Sequence, residues 1–304
     1  MVKILIKSFN QLFEAVKKNG YKKIAVACAD DEEILKAISN VSEQGLTEGI
    51  FIGNRGKIEE LIQKKNLDIK KYEIIDSKDS KSSAECAVRL VAEGHADLVM
   101  KGLINTADFL KAVLNEEYGL TTGNLLSHVA VFEIKNYHKF LIITDAAMNI
   151  SPDAEQKVNI INNALTVTRA LNIQEPKVAL LAAVEKINTK MSATLDAAYI
   201  SKMAERKQIK GAIIDGPLAL DNAVSAKAAA HKGIASSVAG DADILVVPNI
   251  ETGNVLYKSL VCFAEARCAG IIAGAKVPVV VTSRADSWET KMNSIALGLL
   301  MAQK

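Results

Sequence analysis

Proline, cysteine and tryptophan are scarce in this sequence, with five prolines, four cysteines and one tryptophan in 304 residues. Cys28, Cys86, Cys262 and Cys268 form no CxxC pair, which argues against dithiol or zinc-ribbon chemistry and leaves small core thiols as the expectation. Histidine is as sparse. His95, His128, His138 and His231 show no HxxxH or HExxH spacing, which argues against a zinc hydrolase. There is no GxSxG elbow for a hydrolase triad, and neither loop order that usually holds a nucleoside triphosphate or a dinucleotide. No sign of charge dominates: 37 Lys plus Arg against 35 Asp plus Glu leave a formal +2, so local groups must hold any anion. No apolar run approaches the roughly 20 residues of a membrane span. The first twenty residues lack a signal-peptide core, so a reducing cytoplasm is the expected compartment.

What is abundant is alternation. The chain is 49% hydrophobic, enough for a large core. Short β-branched runs ("KIAVACA" at 23–29, "GIFIG" at 49–53, "ADLVMKG" at 96–102, "FLIITDAAMN" at 140–149, "ADILVVPNI" at 242–250, "VPVVVTSR" at 277–284) alternate with longer helical patterns. This is βαβ grammar, implying largely parallel sheet covered by helices. About nine or ten strands are expected, comfortable for two sheets, with a break near 125–135. Ser151 and Pro152 read as the start of one helix. Asp286, with Glu289 three residues on, has capping-box spacing ahead of an amphipathic C-terminal helix.

Ligands of parallel α/β sheets bind outside the carboxyl ends of strands, so the strand ends carry the candidates. In "TSRADS" a hydroxyl (Ser283) and a guanidinium (Arg284) stand at a strand-to-helix turn, where free N–H groups and the helix dipole favour an anion. The bland alternative is a local cap and a surface ion pair. "PNIETGNVLYKSL" places Gly253 and Asn254 at a turn, with Lys258 on the helix that follows. That glycine would let a ligand approach the backbone, or simply form a turn. Asp215 and Asp221 in "IIDGPLALDNAVS" fit a base, a metal pair or, for Asp221, a helix cap. Lys101 and Thr106, Asp145, and Ser127 with His128 mark further strand ends or starts, His128 with a structural alternative. Trp288 lines a pocket or packs in the core.

Taken together, "VMKGLINTADFL", "NLLSHVAVF", "TDAAMNISPD", "DGPLALDNA", "VAGDADILVVPNIETGNVLYKSL" and "TSRADS" closely resemble the phosphate acetyl/butyryltransferase family, from about residue 10 onward. "LSHV", "DGPLALDNA" and "SRADS" resemble its butyryl branch rather than its acetyl branch. The resemblance implies an α/β protein of two α/β/α domains of the isocitrate/isopropylmalate dehydrogenase-like type, 1–130 plus 274–304 and 131–273, with substrates in an interdomain cleft. It implies reversible conversion of a short-chain acyl-CoA and inorganic phosphate to acyl phosphate and CoA through a ternary complex. CoA would be substrate or product, with no tightly bound cofactor and no metal; homo-oligomers are implied, nucleic acid and membranes are not.

By that resemblance Ser283 and Arg284 match the family's active-site pair. The acetyl branch's proposed thiol base falls on Thr290, so Glu289, Asp286 or no side chain at all stand as alternatives. Lys101, Thr106, Ser127, His128, Asp145, Asp215, Gly253, Asn254 and Lys258 are the expected substrate contacts. Rival readings are an acetyl-specific member of the same family, a metal- and NAD-dependent hydroxy-acid dehydrogenase using Asp215 and Asp221, and a non-catalytic acyl-CoA binder.

Overall fold

The computed structural model describes residues 4–68 and 71–302. By their contacts the described residues divide into two compact units: Phe9–Asn124 with the residues from Ala269 on, and Leu125–Cys268 with the residues up to Ser8. The expected joints lay near 130 and 274. Elements are numbered along the whole chain.

The first unit holds α1 (Phe9–Lys17), β1 (Lys22–Ala27), α2 (Glu32–Glu43), β2 (Thr47–Gly53), α3 (Arg55–Lys64), β3 (Glu73–Asp76), α4 (Ser80–Ala92), β4 (Leu98–Lys101) and α5 (Thr106–Val113). From the chain's end come β10 (Arg267–Ala273), in which the division falls, β11 (Val279–Val280) and α11 (Trp288–Met301). The strand order is β3-β2-β1-β4-β11-β10, parallel throughout except that β10 runs against β11. Strands such as "LVMK" of β4 are buried on both faces, as a sheet covered by helices requires. Helix starts are set by side-chain oxygens: Asp31, Asn54, Asp79 and Asn105 cap α2, α3, α4 and α5.

Because β1 leads outward to β2 and β3 while β4 returns to its other side, strand order reverses between β1 and β4. That is where an open α/β sheet leaves a crevice at its carboxyl edge. Gly102 is needed there, since a Cβ on it would stand 2.1 Å from the Cys28 carbonyl oxygen. The Gly102 and Leu103 N–H groups donate to the Ala27 and Cys28 carbonyls, binding the two strand ends together.

The second unit holds β5 (Ser127–Glu133), β6 (Leu141–Thr144), α6 (Ala154–Ala170), β7 (Lys177–Leu181), α7 (Ser192–Glu205), β8 (Ile213–Leu218), α8 (Leu220–Val224), α9 (Ala226–His231), β9 (Ile244–Val246) and α10 (Ile250–Phe263). Its order is β5-β6-β9-β7-β8, with β5 antiparallel to β6 and the remaining pairs parallel. Phe132, Ile143, Ala179 and Leu245 form the centre of its core.

Eleven strands are described, above the nine or ten expected, because β10 hides in "RCAGIIA", where alanine and glycine dilute the β-branched signal. Three helix starts differ from expectation. Asp153, not Ser151, caps α6, in a reciprocal box with Gln156, and Pro152 lies outside the helix. Ser287, not Asp286, caps α11, which is buried nearly all round rather than amphipathic. Asp221 sits in the first turn of α8, where it accepts from the Asn222 N–H and pairs with Lys232 at 3.6 Å; the cap position is Ala219, so Asp221 is not the cap. The thiols also differ: Cys28 and Cys268 are buried, Cys86 is half-buried, and Cys262 is exposed near the end of α10. Among the described residues no helix is long and apolar enough to cross a membrane, and no three His, Cys, Asp or Glu side chains are grouped to hold a metal.

Candidate active site

In the first unit, β4 and β11 pair through Val99 with Val279 and Met100 with Val280, so their next residues emerge side by side at the carboxyl edge. From β4 comes Lys101, 4% exposed, its ammonium donating to the Gly102 and Ile104 carbonyls at 3.1 and 3.2 Å. Burial pulls the Lys101 ammonium below its usual pKa, and the positive charges of Arg284 and Lys291 push the same way, with Asp31 partly opposing.

From β11 the chain passes buried Thr282 into exposed Ser283 and Arg284. The turn is closed on itself: Ser283 N–H donates to Asp286 Oδ2 at 2.7 Å, Asp286 N–H returns to the Ser283 carbonyl at 3.2 Å, and Ala285 N–H reaches Ser283 Oγ at 3.3 Å. The Ser283 hydroxyl therefore accepts within the turn and keeps its own proton available for donation. Asp286 is committed to this turn. The helix α11 then starts at Trp288, whose N–H donates to Glu33 at 3.0 Å and whose ring lies under the Lys36 ammonium at 4.4 Å. Trp288 thus seats α11 against α2. Glu289 is exposed on the first turn of α11, Thr290 is half-buried beside it, and Thr106 is exposed at the first residue of α5.

The second unit gathers Ser127, His128, Asp145, Gly253 and Asn254. The buried Thr144 hydroxyl donates to the His128 carbonyl at 2.9 Å, and buried Ser127 accepts from Asn163 Nδ2 at 2.9 Å. Asp145, 2% exposed, accepts from the N–H groups of Ala147, Met148 and Asn149 and from Asn149 Nδ2 at 2.6 Å. Its carboxylate is filled by the loop it organises.

Gly253 was expected in a turn but lies inside α10, which begins at Ile250 under an Asn249 cap. A Cβ on it would stand 2.6 Å from the Asp145 carbonyl oxygen, so the close approach it permits is that of the chain's own backbone. Asn254 Nδ2 reaches the Ala146 carbonyl at 3.5 Å, and Lys258 is exposed further along the helix. Asp215 lies apart from this group. It stands within β8, an edge strand separated from β6 by β9 and β7, rather than at a strand end, and accepts from Gly216 N–H at 2.8 Å.

The first set adds a residue that no motif flagged. Lys291, 3% exposed on α11, donates its ammonium to the Asp286 carbonyl and so braces the Ser283 turn. No local signal marked it, since a lysine on a helix read as amphipathic is expected on the solvent face.

This collection of cations at a strand-to-helix turn suits a phosphorylated or phosphate substrate. The profile of the phosphate acetyl/butaryl transferase family matches residues 8–90 and 81–299. The chain belongs to this family. A member, the phosphate butyryltransferase of Clostridium beijerinckii, is 51% identical over 298 residues, which is 98% of this chain and 99% of that one. A branched-chain phosphotransacylase from Enterococcus faecalis V583 superposes with a TM-score of 0.82 at 37% identity, over 92% of this chain and 99% of its own. Outside the transferase family, a 4-hydroxythreonine-4-phosphate dehydrogenase from Burkholderia phymatum superposes with a TM-score of 0.57 at 14% identity, covering 94% of this chain and 100% of its own. That last likeness is one of fold, and it agrees with the dehydrogenase-like architecture expected of the family.

Proposed function

We propose that the protein is a phosphate acyltransferase, converting a short-chain acyl-CoA and inorganic phosphate reversibly to acyl phosphate and CoA in a ternary complex, with butyryl as the acyl group. The observation that carries the reading is the turn at the end of β11, where an exposed hydroxyl and guanidinium stand beside buried lysines. Arg284, with the Lys101 charge behind it, holds phosphate. A phosphate oxygen attacks the thioester carbonyl, and the Ser283 hydroxyl donates to the oxyanion that forms. The intermediate collapses with loss of the CoA sulfur, and the proton that phosphate carried ends on the thiolate.

In reverse, the thiol must lose that proton. Asp286 is engaged by Ser283 N–H and Thr290 carries no carboxylate, so exposed Glu289 is the group we assign to receive it. Thr290 lines the same turn, and Thr106 binds at the start of α5. Asn254 and Lys258 are CoA contacts on α10, with Ser127, His128, Asp145 and Gly253 shaping the backbone they stand on. CoA enters and leaves as a substrate, with no resident cofactor. We assign the protein to the cytoplasm and to a homo-oligomer, for which exposed apolar side chains such as Val255 and Phe263 on α10, the latter 88% exposed, offer surface.

A panel of acetyl-, propionyl-, butyryl-, isobutyryl- and valeryl-CoA with phosphate, followed by free-thiol release, tests the reading. One methylene is worth about 1–3 kcal/mol in an apolar pocket, so butyryl should exceed acetyl by about tenfold or more in kcat/KM. Turnover should survive EDTA and produce no NADH absorbance. A requirement for a divalent metal and NAD would replace the transferase with a dehydrogenase, and CoA binding without phosphate-dependent turnover would leave a binder.

A further inference from the structure

Lys101 and Lys291 are both nearly sealed from solvent, yet their ammonium groups donate to backbone carbonyls and neither joins an ion pair among the described residues. Lys157, 5% exposed, is by contrast matched by Asp196 at 2.6 Å, whereas Lys22, 6% exposed, also joins no ion pair among the described residues but lies away from the Ser283 turn, at the start of β1. A buried charge without a counter-charge is unfavourable in isolation, and its natural complement is an anion that the protein itself does not supply. Arg284 adds a third positive charge close enough to bear on Lys101, as does Lys291. The nearby carboxylate of Asp286 is turned to the Ser283 N–H, and that of Asp31 to the start of α2.

We propose that Lys291 is a positioning residue for phosphate. Through its bond to the Asp286 carbonyl it fixes the turn that presents Ser283 and Arg284, and with Lys101 it holds positive charge behind that turn for phosphate to offset when it binds. The inference rests on the phosphate acyltransferase reading and concerns only its phosphate half. Lys291 acts through the turn and through its field, since its burial keeps it from the solvent face that Ser283 and Arg284 occupy.

Two substitutions separate the bond from the charge. Lys291→Gln keeps a donor for the Asp286 carbonyl and removes the charge, while Lys291→Met removes both at similar volume. In Lys291→Met the KM for phosphate should rise about tenfold and kcat should fall about tenfold, with the KM for butyryl-CoA within about twofold of wild type. In Lys291→Gln the phosphate KM should rise about fivefold while kcat stays within about threefold.

A phosphate KM within about twofold of wild type in Lys291→Gln, or an equal rise in both KM values, overturns the proposal. Should Lys291→Met fail to fold, the Lys291→Gln criterion decides alone. The rise in unfolding temperature on adding inorganic phosphate gives a readout without turnover, and it should shrink in any folded variant; an unchanged rise overturns the proposal. If wild type binds phosphate in this way but turns over no acyl-CoA, the acyltransferase reading fails while the role of Lys291 is still tested.

Discussion

Asp145 and Ser283 both follow a strand, both lead toward a helix, and both looked like ligand groups in the sequence; the fold has used one and left the other open. Asp145 is buried and its carboxylate accepts four hydrogen bonds from the loop after β6. Ser283 is exposed, its backbone is fixed by Asp286, and its hydroxyl proton and the neighbouring guanidinium point to no partner among the described residues. A polar group whose bonding capacity is consumed internally builds a scaffold. One whose capacity remains open, beside charges that the protein does not neutralise, is available for chemistry.

The sharpest way to break this contrast is kinetic. Ser283→Ala and Arg284→Ala should each lower turnover about a hundredfold or more, the usual loss when one donor to a developing oxyanion or one clamp on phosphate is removed. Free-thiol release from butyryl-CoA with phosphate measures it, and unfolding curves should remain close to wild type because both side chains are exposed. Wild-type turnover in either variant would mean that the open turn is not the reacting one.

The second set should respond in stability. Asp145→Ala strands the N–H groups of Ala147, Met148 and Asn149 in a buried loop, at a cost of about 3 kcal/mol. Gly253→Ala sets a methyl group against the Asp145 carbonyl, and the shift of α10 that relieves it should cost about 1–3 kcal/mol. Urea unfolding reads both. If either variant unfolds like wild type and loses only activity, the internal bonds are not what that residue is for, and the contrast with Ser283 dissolves.

The parallel alternation was legible because β4, β6 and β7 are short, apolar and buried on both faces, a pattern that survives without knowledge of tertiary contacts. The Ser283–Arg284 turn was legible for a related reason, a valine run ending in a hydroxyl and a guanidinium. Caps were less so. Asp286, Ser287 and Glu289 all suit a helix start, and only the fold shows Asp286 drawn back to the Ser283 N–H so that Ser287 takes the cap. Gly253 was misplaced because its neighbour is backbone more than a hundred residues away in sequence, which no local pattern records. Lys291 was invisible because on a helix read as amphipathic a lysine belongs to solvent. Once α11 proves buried nearly all round, the same lysine becomes the feature requiring explanation.

The smallest expected effect contrasts the bare lysines with a neutralised cluster in the second unit. There Lys139 pairs with Asp241 and Asp243 at 3.0 and 2.8 Å, Lys177 pairs with Asp241 at 2.6 Å, and His138 lies 3.0 Å from Asp241. Partial burial pushes the Asp241 carboxyl up, but Lys177 and Lys139 outweigh it and hold its pKa at about 2. A carboxyl whose folded pKa lies below its unfolded value near 3.9 adds stability that is complete above that value and disappears as pH falls through the folded one. The loss should therefore run from about pH 4 to about pH 2, and because Asp241 is partly solvent-exposed, screening limits it to about 1 kcal/mol. Asp241→Asn should be less stable than wild type by that amount at pH 6, and the gap should close by about pH 2. A gap that persists unchanged at low pH would mean that Asp241 acts through packing and neutral hydrogen bonds. Charge matching would then no longer distinguish these lysines from Lys101 and Lys291.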